Sequence, residues 1–254
     1  MSNKYGDIES QNAFENKTKI EEEENDTYIK MNPRMGLIRK VYGILCCQLI
    51  LTVLMCLPSM YSPFYFAFMM STPGLAVLIC AIVLTIVIAI MLFCCVGFAR
   101  QVPMNYVLLL IFTICEAYLV SYCCATTSPK IVLMAAILTL AITVSLTIYA
   151  MTTKIDFSYM GGMMFVFGFV LLFSGMFMLF TDNPILHVVY ASIGVCFYGL
   201  YLIYDTQTLL NNKRKYGAKL DVDEYVLGAI QIYMDVVLLF VYVLELFSNL
   251  NELF

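Results

Sequence analysis

Long apolar stretches dominate the chain from residue 37 onward, and short polar or proline-containing segments separate them. Each stretch is close to the twenty or so residues that a helix rising 1.5 Å per residue needs to cross about 30 Å of hydrocarbon. Because the apolar runs are continuous, without alternation at every second residue, a transmembrane β-barrel is excluded. We therefore predict an all-α membrane protein with seven transmembrane helices, at about 37–57, 74–98, 103–124, 130–151, 160–180, 185–209 and 224–247.

The first 33 residues form a polar segment that holds 8 of the 18 acidic residues of the chain, including a run of four from Glu21 to Glu24. Such a segment has too little apolar surface to bury, so we expect a disordered acidic tail over 1–33. The seven-helix transmembrane domain then occupies 34–254. Since no apolar segment with a cleavage site begins the chain, the first span is expected to start membrane insertion while the tail stays in the cytosol.

The composition agrees with a membrane protein, because 62% of the residues are hydrophobic and 13% are charged. A soluble domain is typically about half apolar and a quarter charged. The net charge of −4 leaves no basic surface for nucleic acid. The ten cysteines fall in or beside apolar stretches without a Cys-x-x-Cys pair, so we interpret them as small buried hydrophobic residues. With one histidine, His187, neither a zinc nor a haem site is expected, and we predict no cofactor.

The cations predict the orientation of the helices, because lysine and arginine are enriched on the cytosolic side of membrane proteins. With a cytosolic tail, the seven spans place Lys130 outside. Every other cation beyond the tail lies inside, namely Arg34, Arg39, Lys40, Arg100, Lys154, Lys213, Arg214, Lys215 and Lys219. We therefore predict a cytosolic N-terminus and a lumenal or extracellular C-terminus.

Ionisable side chains inside the spans are the best indicators of function, because each costs a few kcal/mol or more in hydrocarbon. Three carboxylates lie there, on Glu116, Asp205 and Asp235. His187 and Glu245 lie near predicted helix ends, where side chains can reach the membrane interface. Glu116 is interpreted either as a supporting polar group of a site or as a structural contact between helices.

Asp205 lies shortly before the cytosolic end of the sixth span, and Asp235 lies about three turns into the seventh. Because the loop between these spans is short, the helices are expected to be antiparallel neighbours whose carboxylates can meet. Tyr201 and Gln231 lie one turn from the two aspartates, and Tyr204 is adjacent to Asp205. Two nearby carboxylates in a low-dielectric site cannot easily both ionise, so the pair would hold a proton or bind a cation such as calcium.

The same residues allow structural interpretations. Each aspartate could instead tie two helices together through hydrogen bonds. Asp223 and Glu224, just before the seventh span, would concentrate cations at a cytosolic mouth, or would simply be solvated beside the neighbouring lysines.

Four segments carry a resemblance to a known family. They are Ile38 to Leu45 followed by Gln48 and Leu49, Arg100 to Asn105, Tyr-Asp-Thr-Gln at 204–207, and Glu-Tyr-x-x-x-Ala-x-x-x-Tyr-x-Asp at 224–235. The last two patterns are specific in combination. Over residues 36–247 the chain resembles the transmembrane Bax inhibitor motif family, in its lifeguard branch.

The resemblance implies a seven-helix fold in which the last helix is enclosed by the other six. It also implies a calcium-permeable leak that is controlled by pH, regulates calcium homeostasis and suppresses cell death. The pH and calcium sensor of that family maps onto Asp205 and Asp235, and the arginine that latches the pair closed maps onto Arg100. We expect the endoplasmic reticulum or Golgi membrane, with the plasma membrane as an alternative. The expected partners are the lipid bilayer and, as candidates, apoptosis regulators or calcium channels.

Two other functions are alternatives. A non-conducting interaction protein that restrains apoptotic or calcium-channel partners remains open, because no residue pattern opposes it. An intramembrane aspartyl protease would also carry aspartates on adjacent helices. Such an enzyme needs Gly-x-Gly-Asp, whereas residues 232–235 read Ile-Tyr-Met-Asp, and it needs a later Pro-Ala-Leu, whereas the last proline is Pro184. We therefore expect no enzymatic activity.

Overall fold

The computed structural model of the protein describes residues 36–94, 103–210 and 225–253. Within these ranges the chain is helical, with one short 3-10 helix at Phe157–Met160 and no β-strand. The α-helices are α1 Gly36–Tyr61, α2 Pro63–Met70, α3 Thr72–Cys94, α4 Met104–Ala125, α5 Pro129–Thr152, α6 Gly161–Met178, α7 Pro184–Leu210 and α8 Tyr225–Leu253. All of these except α2 are long and apolar enough to cross a membrane.

The seven predicted spans are confirmed, with bounds that differ by a few residues. The apolar pattern does not predict α2, which lies in the connection between the first two spans. Ser62 caps this helix, since its Oγ accepts a hydrogen bond from the backbone N–H of Tyr65 at 3.4 Å, and Pro63 occupies the first turn. Proline is favourable there because the first N–H groups of a helix have no partner within it. The serine–proline pair is therefore a helix start as well as a break between spans.

The N-terminal ends of α1, α4 and α8 meet at one end of the bundle, which we call the inner end. Lys40 of α1 places its Nζ atom 5.2 Å from the centre of the Tyr225 ring of α8, a favourable contact between a cation and an aromatic face. The Tyr106 hydroxyl of α4 donates to the Tyr225 hydroxyl at 3.1 Å. Because consecutive spans run in opposite directions, α7 ends at this same end. The distribution of cations predicts that the inner end faces the cytosol.

Helix α8 lies at the centre of the bundle. It packs most extensively on α7 and also packs on α5 and α4. A hydrogen bond of 2.9 Å between the hydroxyls of Tyr233 and Thr52 joins it to α1. The helices α3 and α6 lie further out, since they pack mainly on α4 and α7 respectively. Within an apolar stretch of 18 residues, 67% of the residues of α8 are buried, compared with 11% for the corresponding stretch of α6. The predicted central position of the last helix is therefore confirmed.

The outer surface of the bundle carries many large apolar side chains, as a lipid-facing surface requires. Five cysteines are exposed, namely Cys46, Cys47, Cys80, Cys94 and Cys196, while Cys56, Cys115 and Cys124 are buried. The interpretation of the cysteines as buried is therefore wrong for these five. A thiol is apolar enough to face either lipid tails or a protein interior, so an apolar sequence context does not separate the two locations.

The close packing of α7 on α8 depends on a glycine. Gly194 of α7 faces the ring of Tyr242 of α8, and a Cβ atom at this position would overlap the ring. The same ring stacks on Tyr198 with the centroids 5.3 Å apart, and its hydroxyl forms a hydrogen bond of 2.9 Å with the hydroxyl of Tyr190. Small residues permit such close approach between helices in membranes.

Gly194→Ala should destabilise the protein by about 1–3 kcal/mol, because the added methyl group forces the Tyr242 ring out of its packing. The measurement is the midpoint of thermal unfolding in detergent micelles. Gly162→Ala is the matched control, since a Cβ atom at Gly162 meets no atom within 4 Å. Equal midpoints for the two variants would contradict the close packing of α7 on α8.

Candidate functional site

The inner parts of α7 and α8 are buried on all sides. On α7 every residue from Leu202 to Leu209 is buried, and on α8 every residue from Tyr225 to Ile230 is buried. A helix with a lipid-facing stripe would show exposed residues at every third or fourth position. These two segments therefore have protein neighbours all round, and the segment of α7 contains Tyr204 and Asp205.

Asp205 lies within the enclosed segment of α7 and is 4% exposed, and Asp235, five residues beyond the enclosed segment of α8, is 5% exposed. Asp205 is five residues before the inner end of α7, and Asp235 is ten residues after the inner end of α8. These separations correspond to about 7 and 15 Å along the helix axes. Asp235 lies close enough to Tyr198 of α7 to interact with it electrostatically. Both carboxylates are thus enclosed within the inner half of the bundle, on two helices that pack on each other.

The supporting polar residues lie along the same two helices. The half-buried Tyr201 packs edge-on against Phe197 and Tyr204, with centroid distances of 5.0 and 6.3 Å. Tyr204 is buried, and Gly161 of α6 leaves room for its hydroxyl, since a Cβ atom there would lie 2.6 Å from that oxygen. Gln231 is half-buried on α8. An aromatic row therefore lines α7 next to the segment that carries Asp205.

Gln207 binds the connection between α5 and the 3-10 helix. Its Oε1 accepts a hydrogen bond from the backbone N–H of Phe157, and its Nε2 donates to the carbonyl of Ile155, both at 2.9 Å. One amide thus uses its donor and its acceptor to fix α7 to this connection. From the sequence, Gln207 is a polar neighbour of Asp205 at the end of the Tyr-Asp-Thr-Gln pattern, and this contact is not predicted. Its two partners are about fifty residues away, and no local pattern indicates them.

A series of hydrogen bonds between buried side chains joins α8 to α1 and α4. Thr52 of α1 binds the Tyr233 hydroxyl at 2.9 Å and donates to the backbone carbonyl of Gln48, also at 2.9 Å. The Nε2 of Gln48 then donates to the Oγ1 of Thr113 on α4 at 3.0 Å. All four side chains are buried. Because lipid supplies no hydrogen bonds, these polar groups must be satisfied between helices, and they hold three helices together.

Glu116 lies near the side of α8 that carries Tyr233. It is partly exposed on α4 and lies near Tyr233 and Cys123. Tyr233 contacts Thr52 of α1 and Phe112 of α4, whereas Asp235 lies near α7. Glu116 therefore lies beside another side of α8, and its predicted supporting role at the aspartates stays a prediction.

The outer end of the bundle carries a contact between α7 and α8. The Nδ1 of His187 lies 3.2 Å from Oε1 of Glu245, and its Nε2 lies 2.8 Å from the carbonyl oxygen of Thr181. One turn further in, Tyr190 and Tyr242 form their hydrogen bond. The sequence interpretation treats His187 and Glu245 as separate interfacial residues, and the structure corrects this by pairing them. Antiparallel packing brings the start of α7 beside the end of α8, which the spacing along the chain does not reveal.

Three predicted site residues, Arg100, Asp223 and Glu224, lie outside the described residues. Among the residues that are described, no group of three or more His, Cys, Asp or Glu side chains is arranged to hold a metal ion. Calcium takes about 6–8 oxygen ligands in proteins. An ion at Asp205 and Asp235 would therefore need further oxygens from water, hydroxyl groups or backbone carbonyls.

The fold defines a multi-pass membrane protein whose last two helices each carry a buried aspartate. A family model described as "Inhibitor of apoptosis-promoting Bax1" matches residues 34–252. The chain belongs to this Bax inhibitor family, and the resemblance drawn from the sequence motifs is confirmed.

Several relatives support the lifeguard branch. "Protein lifeguard 3" of Homo sapiens is 32% identical over 222 residues, which cover 86% of this chain and 70% of the relative. "Protein LIFEGUARD 4" of Arabidopsis thaliana is 32% identical over 219 residues, with 84% and 85% covered. The "Golgi anti-apoptotic protein" of Vaccinia virus (strain Lister) is 30% identical over 219 residues, with 86% and 87% covered. None of these names denotes a catalytic activity.

Gln207→Met should lower the stability by about 1–3 kcal/mol, because it leaves the N–H of Phe157 and the carbonyl of Ile155 without the amide that binds them. We expect a lower midpoint of thermal unfolding and faster limited proteolysis at residues 153–157. Asn249→Ala is the control, since the Asn249 amide donates to the carbonyl of Glu245 within its own helix. Proteolysis at the same rate in Gln207→Met and wild type would contradict the role given to Gln207.

Proposed function

We propose that the protein is a pH-sensitive cation leak with calcium as the permeant ion, and that it suppresses cell death through this leak. The observation that carries the proposal is the burial of Asp205 and Asp235, 4% and 5% exposed, on the two helices that pack most extensively. Carboxylates at this depth cost several kcal/mol unless they are neutralised or paired. Residues kept at such a cost are strong candidates for a functional role.

The two aspartates can act as a trigger because their charge depends on pH. In the closed state the two aspartates share one proton, so the pair carries a single negative charge, and Arg100 latches it. Loss of the proton adds negative charge in a low-dielectric region, and the repulsion separates α7 from α8. The leak therefore increases as the pH on the inner side rises.

The hydrogen bonds at the outer end support a particular direction of opening. There the His187–Glu245 and Tyr190–Tyr242 contacts join α7 to α8, while Asp205 lies near the inner end. Separation of the helices would then open the inner end and leave the outer end as the hinge. Asp223 and Glu224 would gather cations at the mouth formed in this way.

A non-conducting interaction protein is the second candidate function. The family description and the name of the viral relative favour it, since both refer to apoptosis and neither refers to conduction. In that function the aspartates hold α7 and α8 together, and the protein binds apoptosis regulators or calcium channels. The name of the viral relative also supports a Golgi location, with the endoplasmic reticulum and the plasma membrane as alternatives.

Calcium flux through the purified protein in liposomes distinguishes the two functions. The wild type should conduct calcium at a rate that rises between about pH 5 and 8, since one carboxylate of the pair loses its proton. Asp205→Asn and Asp235→Asn each keep one position neutral, so both variants should stay at a low rate across this range. Asp182→Asn is the matched control, because Asp182 is an exposed carboxylate between α6 and α7.

Each other outcome of this experiment has a defined meaning. If the pure wild-type protein passes no calcium at any pH, the leak is rejected and the interaction protein is favoured. If the wild type and both asparagine variants conduct with the same pH profile, the protein is a leak but the aspartates are not its trigger. In cells, Asp205→Asn should lose protection against induced death while Asp182→Asn keeps it.

A further inference from the structure

A groove of about 490 Å³ runs between α1 and α4 at the inner half of the bundle. Gly43, Cys47 and Leu51, spaced one turn apart, form its side on α1, and Leu109 and Leu110 form its side on α4. A Cβ atom on Gly43 would meet no atom within 4 Å, so this glycine leaves the groove open. Because Gly43 and Cys47 are exposed, the groove opens sideways, toward the lipid that surrounds a helix at this depth.

Two cations line the inner mouth of the groove. Arg39 and Lys40 are both exposed there. Lys40 lies over the Tyr225 ring at 5.2 Å, and Tyr106, which lines the opposite side of the groove, donates to the Tyr225 hydroxyl at 3.1 Å. The groove is therefore basic where it reaches the membrane surface and apolar where it enters the hydrocarbon. Anionic phospholipids have the matching distribution of charge and apolar chain.

A hydrogen bond between α1 and α4 in the wall of the groove fixes the spacing of the two helices. Gln48 is 4% exposed, and its Nε2 donates to Oγ1 of Thr113 at 3.0 Å across the two helices. Thr113 in turn donates to the carbonyl of Leu109 at 2.8 Å, so it can only accept from Gln48, and this fixes the orientation of the amide. The Oε1 of Gln48 is buried with no hydrogen-bond partner among the described residues. A preformed groove binds a ligand with less loss of entropy.

We propose that this groove binds an anionic phospholipid of the leaflet at the inner end. One acyl chain lies along Gly43, Cys47 and Leu51, and Arg39 and Lys40 hold the phosphate-bearing headgroup. A neutral lipid gains the same apolar contacts without the attraction of the headgroup for the two cations. Since Lys40 also contacts Tyr225, a lipid bound here acts on the first residue of α8. The binding itself does not require that the protein conducts ions.

Retention of defined lipids tests the proposal. The full-length protein is reconstituted in nanodiscs with equal amounts of palmitoyl-oleoyl phosphatidylserine and palmitoyl-oleoyl phosphatidylcholine, released into mild detergent and analysed by native mass spectrometry. The wild type should retain more phosphatidylserine than phosphatidylcholine, by roughly fivefold for each of the two cations. Gly43→Phe fills the groove and should lose the retained lipid. Gly162→Phe adds the same ring at an open position on α6 and should behave like the wild type.

A second variant tests the headgroup contact without changing the groove. The double substitution Arg39→Gln and Lys40→Gln should abolish the preference for phosphatidylserine while a lipid of either kind is still retained. Glycerophosphoserine, which has the headgroup and no acyl chains, should not displace the retained lipid at equal concentration. Displacement by glycerophosphoserine would assign the binding to a free phosphate compound. Equal retention of both lipids by the wild type, or undiminished retention by Gly43→Phe, would overturn the proposal.

Discussion

Hydrocarbon supplies no hydrogen-bond partners, and this constraint decides where each polar side chain of the bundle can lie. Helix α8 carries Asp235 and Tyr233 in the membrane interior, so it is stable only where other helices surround it. The helices α3 and α6 are almost entirely apolar and can face lipid over most of their surface. The central place of α8 and the outer places of α3 and α6 therefore follow from the same requirement.

The number and position of the spans are predictable from the sequence, because the length of an apolar run directly reflects the thickness of the membrane. The contacts between spans are not. The Tyr233–Thr52, Gln207–Phe157 and His187–Glu245 contacts join residues 50 to 181 positions apart. They depend on the rotation and register of each helix, and in a chain that is 62% hydrophobic the apolar pattern leaves that rotation undefined. The two aspartates could be singled out because an acid in an apolar run is conspicuous by itself.

The contact between α7 and α8 differs at its two ends. The outer end joins neutral or paired groups, namely two tyrosine hydroxyls and a histidine with a glutamate. The inner half encloses two aspartates. Gly194 brings the backbone of α7 close to Tyr242 in the outer half, next to Tyr198 and Asp235, whereas Asp205 lies nearer the inner end. A change in charge at Asp205 therefore acts about three turns of helix away from this close contact.

Gln207 also has a consequence for what lies outside the membrane. It is two residues from Asp205, and its amide forms hydrogen bonds with the backbone of Ile155 and Phe157. These residues follow Lys154 in a connection whose side chains are largely exposed. In the proposed opening, a displacement of α7 near Asp205 would shift this water-accessible loop, so a soluble molecule bound to the loop would oppose the rearrangement without entering the bilayer.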